Sequence, residues 1–115
     1  MKEYHISYTR LAEQDLRGIY EYIAFTLLAP ETAANQSNRI IDAVAGLNQL
    51  PERFRRYDRE PWHSMGLRIM PVDNYVVLYT VSKLSVGQRD EVSIVRVLYS
   101  GRDIDSELTS SRIRR

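Results

Sequence analysis

Apolar and polar positions predict one strand and two helices in the first half of the chain. Residues 4–9 alternate between apolar and polar side chains, which is typical of a half-buried strand. Over residues 12–27 the apolar side chains instead recur on one side of a helix, and Thr9 is placed to cap its first turn. A second helical stripe begins at Pro30, which suits the first turn of a helix, and is stopped by Pro51. Two helices joined by about three residues are expected to pack as an antiparallel hairpin.

The second half of the chain has the pattern of a sheet. Residues 51–66 contain two prolines and a glycine and show little periodicity, so we predict an extended connection on the surface. Three β-rich runs follow, at residues 67–72, 75–82 and 92–99. The last run is apolar on both faces, which is typical of a central strand.

The element order β-α-α-β-β-β predicts an α+β fold. We expect the helical hairpin to pack on one face of a mainly antiparallel sheet. Since only two helices are available to cover the sheet, its other face should be partly open, and an open face is a natural partner site. We expect a single domain over residues 1–109 and a basic, flexible tail over residues 110–115.

Composition excludes several classes of function. With no cysteine and only two histidines, the chain offers no disulfide and no thiolate chemistry, and we expect neither a metal nor a cofactor. A net charge of +1, from 16 basic and 15 acidic residues, excludes a generally basic nucleic-acid binder. No apolar run reaches the roughly 18 residues of a membrane span, and the N-terminus lacks the apolar region of a signal peptide. We therefore expect a cytoplasmic protein with no membrane partner.

Arginines are concentrated in the second half of the chain. Of the 16 basic residues, 14 are arginines; residues 1–50 carry four bases and six acids, and residues 51–115 carry twelve bases and nine acids. The arginines of residues 53–59 either bind phosphates and stacked bases, with Trp62 as a platform, or form a solvated loop with Trp62 as a lid on the core. Arg96 interrupts an apolar strand and either contacts a target or pairs with an acidic side chain across the sheet.

Templates for catalysis are incomplete in this sequence. It has no glycine-rich phosphate loop, no His-Glu-x-x-His and no Gly-x-Ser-x-Gly. Cleavage of RNA without a metal needs a base, an acid and a cation for the phosphate. Side chains of these types are available in Glu60 or His63, in Tyr99, and in Arg68, Arg96 or Arg102. The spacing of these residues in the sequence does not show whether their side chains meet in one site.

Five segments carry a family resemblance. They are residues 12–23 (AEQDLRGIYEYI), 50–53 (LPER), 66–69 (GLRI), 74–79 (NYVVLY) and 94–103 (IVRVLYSGRD). Their order and spacing resemble the RelE/ParE superfamily, the toxins of bacterial type II toxin–antitoxin systems, over about residues 3–105. The resemblance implies a helical hairpin on an antiparallel sheet, in agreement with the fold predicted from the hydrophobic pattern.

The superfamily divides by target, and the residues of this chain favour one branch. RelE-like members are ribosome-dependent endoribonucleases that cut mRNA, whereas ParE-like members poison DNA gyrase. Ribonuclease members keep an arginine early in the penultimate strand, and Val76 stands at the matching position. Residues 15–19 are closer to the ParE-like, plasmid-stabilisation branch, although the ending at residues 99–103 is one arginine short of its usual form. Against this, Glu60-Pro61 resembles a Glu-Pro pair of one ribonuclease branch, in which the glutamate acts as the base.

The resemblance implies the toxin component of a type II toxin–antitoxin module. We expect it to inhibit growth by binding an essential target, DNA gyrase, without catalysis of its own. A cognate antitoxin would neutralise it by covering the sheet edge and the hairpin with an extended or helical segment. Its usual acidity would complement the basic half of the chain. The sequence leaves open whether the toxin forms homodimers or hetero-oligomers with the antitoxin. The residues expected to bind the target are Arg96, Tyr99, Arg102, Arg112, Arg114 and Arg115.

The alternative function is that of a ribosome-dependent mRNA interferase of RelE type. Its catalytic residues would be Glu60, His63, Arg68, Tyr99 and Arg102. A third reading is a degenerate relative that acts only as a binding module.

Overall fold

The described part of the chain forms four strands and three α-helices, close to the predicted elements. The computed structural model describes residues 3–83 and 90–113, with side chains up to Ser110. The strands are β1 (His5–Tyr8), β2 (Arg68–Val72), β3 (Tyr75–Ser82) and β4 (Glu91–Tyr99). The helices are α1 (Arg10–Glu21), which continues into a π-helical turn (Tyr22–Thr26), α2 (Pro30–Ala45) and α3 (Ile104–Ile113). None of the helices in these ranges is long and apolar enough to cross a membrane.

The strands form one sheet in the order β1-β4-β3-β2. β1 runs parallel to β4, and the other neighbouring strands are antiparallel. The predicted α+β fold with a mainly antiparallel sheet is therefore confirmed. As predicted, β4 is a central strand, because its apolar side chains bury against layers on both faces of the sheet.

The helical hairpin packs on one face of the sheet and forms the main core. Thr9 caps α1, because its Oγ1 accepts a hydrogen bond from the backbone N–H of Ala12 at 3.1 Å. Ala12 and Ile40 are fully buried on the helix side, as are Tyr79 and Ile94 on the sheet side. The apolar stripes in the sequence therefore predict both the helices and the face that each one buries.

The second face of the sheet is covered, which contradicts the predicted partly open face. The connection at residues 51–66 lies mostly on the surface, as predicted, but two of its aromatic side chains are buried. Tyr57 and Trp62 from that connection are each 8% exposed and pack with Leu98 of β4 and Leu108 of α3. The Tyr57 N–H donates to the carbonyl just before β2 at 2.8 Å, so this part of the connection runs beside β2. Trp62 is thus a lid on a core. The prediction of a partly open face is wrong because Tyr57, Trp62 and α3 cover this face, although there is no third long helix to do so.

Helix α3 closes this second core from the C-terminal end. The Tyr57 hydroxyl donates a hydrogen bond to the Asp105 carboxylate, and Arg59 forms an ion pair with the same carboxylate at 3.3 Å. The helix continues to Ile113, past residue 109 where the predicted domain ends and into the segment predicted to be a flexible tail.

Candidate functional site

Helix α1 replaces β1 along the second half of β4. The pairing of β1 with β4 ends at Ile94, and β4 has one extra residue there, Val95, relative to β3. The Thr9 hydroxyl donates to the Val95 carbonyl at 2.8 Å, and the Asp15 carboxylate accepts from the Val97 N–H at 2.9 Å. Side chains at the start of α1 therefore take hydrogen bonds that a neighbouring strand would otherwise make.

A buried ion pair holds the Arg96 side chain against α1. Its guanidinium donates two hydrogen bonds to Asp15, at 2.7 and 2.9 Å, and lies 3.6 Å from Glu107 of α3. Arg96 is only 8% exposed. The hydrogen bonds to Asp15 raise the pKa of Arg96 above its ordinary value, so the guanidinium stays charged. Of the two readings of Arg96, the geometry supports the ion pair, although its partner lies on α1 and not across the sheet.

A groove of about 760 Å³ lies between the helical hairpin and this part of β4. Ile19 and Tyr22 line it from the hairpin, and Tyr75 and Tyr99 line it from the sheet. Side-chain amides and Arg102 add polar groups to the lining. Apolar and aromatic walls with a few polar groups are typical of a binding site.

Three tyrosines come together in this groove. The rings of Tyr75 and Tyr99 meet edge to face, with their centroids 5.9 Å apart. Burial raises the pKa of the Tyr75 hydroxyl, and the nearby Tyr99 and Tyr22 raise it further, so this hydroxyl stays a neutral hydrogen-bond donor. A Cβ atom on Gly101 would lie 2.5 Å from a ring carbon of Tyr99. Glycine is therefore required at position 101 for the ring to take this position.

Among the described side chains of the predicted target-binding set, those of Tyr99 and Arg102 are exposed. Tyr99 is 51% exposed, and the Arg102 side chain is 59% exposed and paired with Glu107 at 3.1 Å. The Arg102 N–H donates to the Tyr99 carbonyl at 3.0 Å, so both residues belong to one turn. Among the C-terminal arginines, the backbone of Arg112 lies in α3, and outside the described residues are Arg114 and Arg115.

Glu60 and His63, the two candidate bases, lie before β2 and do not line the groove. The Glu60 carboxylate accepts hydrogen bonds from the Ser64 backbone N–H at 3.0 Å and from the Ser64 hydroxyl at 2.8 Å. These bonds lower the pKa of Glu60, which makes it a weaker proton acceptor. His63 Nδ1 lies 3.8 Å from Glu60. Both candidate bases are therefore separate from the groove of the tyrosines.

Arg68 and Val76 also lie outside the groove. The Arg68 side chain is 15% exposed and donates to the carbonyls of Glu52 and Phe54 at 3.2 and 2.6 Å, which fastens β2 to the preceding connection. Val76, at the position where ribonucleases keep an arginine, is 6% exposed and packs in the second core. Within residues 3–83 and 90–113, no three Asp, Glu or His side chains are grouped to hold a metal ion. The groove thus contains only two of the five candidate catalytic residues.

Two residues that shape the groove, Asp15 and Gly101, have roles that sequence reasoning missed. Asp15 lies off the apolar stripe of α1, and its bond to Val97 joins residues 82 positions apart. Gly101 has the pattern of an ordinary strand end. Only the ring of Tyr99 above it requires a glycine, and that contact has no counterpart in the local sequence.

A family model for the ParE toxin of type II toxin–antitoxin systems, parDE, matches residues 6–104. This match and the fold place the chain in the RelE/ParE superfamily of toxins, which confirms the predicted resemblance. Within that superfamily, the chain belongs to the ParE toxin family. Among solved structures, the chromosomal ParDE TA system from P. aeruginosa is similar in fold. The TM-score is 0.65 at 23% sequence identity, over 84% of this chain and 96% of that chain. No curated protein matches the chain.

Proposed function

We propose that this toxin inhibits growth by binding an essential target, DNA gyrase, and not by cutting RNA. The observation that carries the proposal is the separation of the candidate catalytic groups. Tyr99 and Arg102 line the groove, whereas Glu60, His63 and Arg68 do not. Acid–base cleavage needs the base, the acid and the cation within hydrogen-bond reach of one substrate. An exposed tyrosine beside an exposed arginine suits protein binding, because these residue types carry much of the energy of interfaces.

Arg102 is the proposed anchor of the target contact. Its ion pair with Glu107 joins two partly exposed side chains, so it contributes little stability and can be exchanged for an acidic group of a partner. Arg96 is not proposed as a target contact. Its ion pair holds β4 against α1. The basic residues that follow in the chain would extend the same surface: Arg112, Arg114 and Arg115.

The second proposed partner is a cognate antitoxin, with the groove as its docking site. Because side chains of α1 already cap the edge of β4, an added strand would find few free backbone groups there. A helical segment could instead pack apolar side chains against Tyr22 and Tyr75 and place a carboxylate opposite Arg102. Such a segment would cover Tyr99 and Arg102, so the toxin–antitoxin hetero-oligomer would be the inactive form. Both proteins would act in the cytoplasm.

An assay with purified gyrase and plasmid DNA tests the gyrase proposal. The toxin should accumulate cleaved DNA held by gyrase. Arg102→Ala should require at least about tenfold more toxin for the same effect, because truncating an anchor of an interface loses about 2 kcal/mol. Arg55→Ala is the matched control. Arg55 is exposed beside β2, at the far edge of the sheet, and has no ion pair within the described residues.

An mRNA interferase would give the opposite result. Cuts in mRNA on stalled ribosomes that disappear in Glu60→Gln, with gyrase unaffected, would contradict the gyrase proposal. A chain that does neither, and that is harmless when expressed without an antitoxin, would be a binding module only.

A further inference from the structure

The tip of the helical hairpin exposes apolar side chains that neither the cores nor the groove uses. Phe25 is 69% exposed and Leu28 is 81% exposed, at the point where α1 passes into α2. We call these two residues the hairpin tip. Neither residue lines the groove. Neighbouring exposed apolar residues mark interaction sites, whereas scattered ones need no explanation.

The backbone at the tip is held in a conformation that an exposed leucine does not favour. Leu28 has a φ of 56°, in the left-handed region where a residue with a Cβ atom is strained and glycine is not. The π-helical turn Tyr22–Thr26 lies just before it, and such turns are frequent at functional sites. A glycine at position 28 would relieve the strain and remove exposed apolar area. Stability therefore does not account for the leucine, which is the situation expected at a binding residue.

Charge distinguishes the tip from the groove. No lysine or arginine occurs from residue 18 to residue 38, and the exposed Glu21 and Glu31 flank the tip in the sequence. The groove has Arg102 in its lining and suits an acidic partner such as an antitoxin. An apolar tip between two carboxylates instead complements an apolar pocket with a basic rim, which is a surface expected on an enzyme that binds DNA.

We propose that the hairpin tip is a second contact with the target, in which Phe25 and Leu28 enter an apolar pocket bordered by basic side chains. The inference rests on the proposed function, because the target is the same. Tyr22, on the turn that leads to the tip, lines the groove together with Tyr99. One large partner can therefore contact the tip and Tyr99 at the same time.

Leu28→Gly separates a binding role from a structural one, and Leu50→Gly is its matched control. Leu50 also lies in the left-handed region, with a φ of 49°, and is 69% exposed, but it precedes the connection to β2. Neither substitution should lower the melting temperature, because relief of strain offsets the added freedom of the unfolded chain. Leu28→Gly should raise at least tenfold the toxin concentration that traps gyrase on cleaved DNA, and Phe25→Ser should do the same. Leu50→Gly should leave this concentration unchanged.

Measurements of antitoxin affinity and of self-association test whether the tip binds the antitoxin or a second copy of the chain instead of the target. Leu28→Gly should bind the antitoxin that neutralises the toxin on co-expression with a Kd within twofold of the unaltered chain, and its mass in sedimentation should not change. Loss of antitoxin binding or a change of mass, with gyrase trapping intact, would overturn the inference in favour of the antitoxin or a second copy. If Leu28→Gly and Phe25→Ser trap gyrase normally, the role of the tip is wrong and the proposed gyrase function stands. If the unaltered chain traps no gyrase, the proposed function fails and the inference fails with it.

Discussion

At the scale of the residue, Asp15 shows how one side chain replaces part of a missing strand. One of its oxygens accepts from the Val97 N–H and from Arg96, and the other oxygen accepts from Arg96 alone. A carboxylate has enough lone pairs for all three bonds. The side chains of Arg96 and Asp15 are only 10% and 14% exposed. Because the pair is shielded from water, loss of Asp15 removes the closest charge that balances Arg96 and leaves Glu107, 3.6 Å away, to balance it in part.

Asp15→Asn should lower the free energy of unfolding by about 2–4 kcal/mol, since asparagine still accepts from Val97 but removes the closest of the two carboxylates that balance the charge of Arg96. Urea unfolding followed by circular dichroism measures the difference. Asp42→Asn is the control, because Asp42 is exposed on α2 and should change stability by less than about 0.5 kcal/mol. Equal midpoints for the two variants would contradict a net contribution from the ion pair.

At the scale of the element, the parts of the fold with a fixed period are predictable from sequence, and the connection before β2 is not. The stripes of α1 and α2 and the two-sided apolar run of β4 each define a buried face, because their period fixes the direction of the side chains. Residues 51–66 have no period. Burial of Tyr57 and Trp62 depends on a sheet face and on Leu108, all of which come later in the chain. Mixed with arginines, these aromatics have the composition of a nucleic-acid-binding loop, and local sequence does not separate the two cases.

Trp62→Ala should lower the free energy of unfolding by about 3–5 kcal/mol, because it leaves a cavity in the second core. Thermal or urea unfolding measures the loss. Met65→Ala, close by in the same connection and 61% exposed, should stay within about 0.5 kcal/mol of the unaltered chain. A role as a stacking platform would show the reverse pattern, with stability kept and affinity for nucleic acid reduced.

At the scale of the whole molecule, the groove depends on contacts between the two ends of the chain. Sequence indicates which residues carry suitable chemistry, and Tyr99 and Arg102 are only three positions apart in it. It does not show that Glu60 and Arg68 lie outside the groove, because their positions follow from packing between distant segments. The uneven distribution of charge along the sequence is also present in the folded molecule. It leaves the end of the hairpin acidic and gives the groove two arginines, Arg96 and Arg102.

Acid should destabilise the molecule through its surface carboxylates. Hydrogen bonds from Arg39 and Gln36 lower the pKa of Asp73, and those from Ser106 lower the pKa of Asp103. A carboxyl whose pKa is lower in the folded chain stabilises it above the ordinary pKa of 3.8, and this contribution is lost as pH falls through the folded value. The melting temperature should therefore decrease below about pH 4.

Asp73→Asn tests the origin of this pH dependence. Asparagine tolerates the left-handed backbone of the turn at position 73, where φ is 55°, so the substitution removes the charge and keeps the turn. The unaltered chain should melt higher than Asp73→Asn at pH 7, and the gap should close as the pH falls below the folded pKa of Asp73. A gap that stays constant with pH would show that the contribution is not ionic.

The central position of β4 has a consequence for synthesis of the toxin. β4 is the last strand of the described chain and lies between β1 and β3. Until the ribosome has made β4, β1 has no neighbouring strand within the described residues, and Asp15 has neither Arg96 nor Val97 to bind. The pairing of these distant segments is therefore a late step of folding. In the proposed docking mode, an antitoxin can bind the groove only after β4, which supplies part of its lining, has joined the sheet.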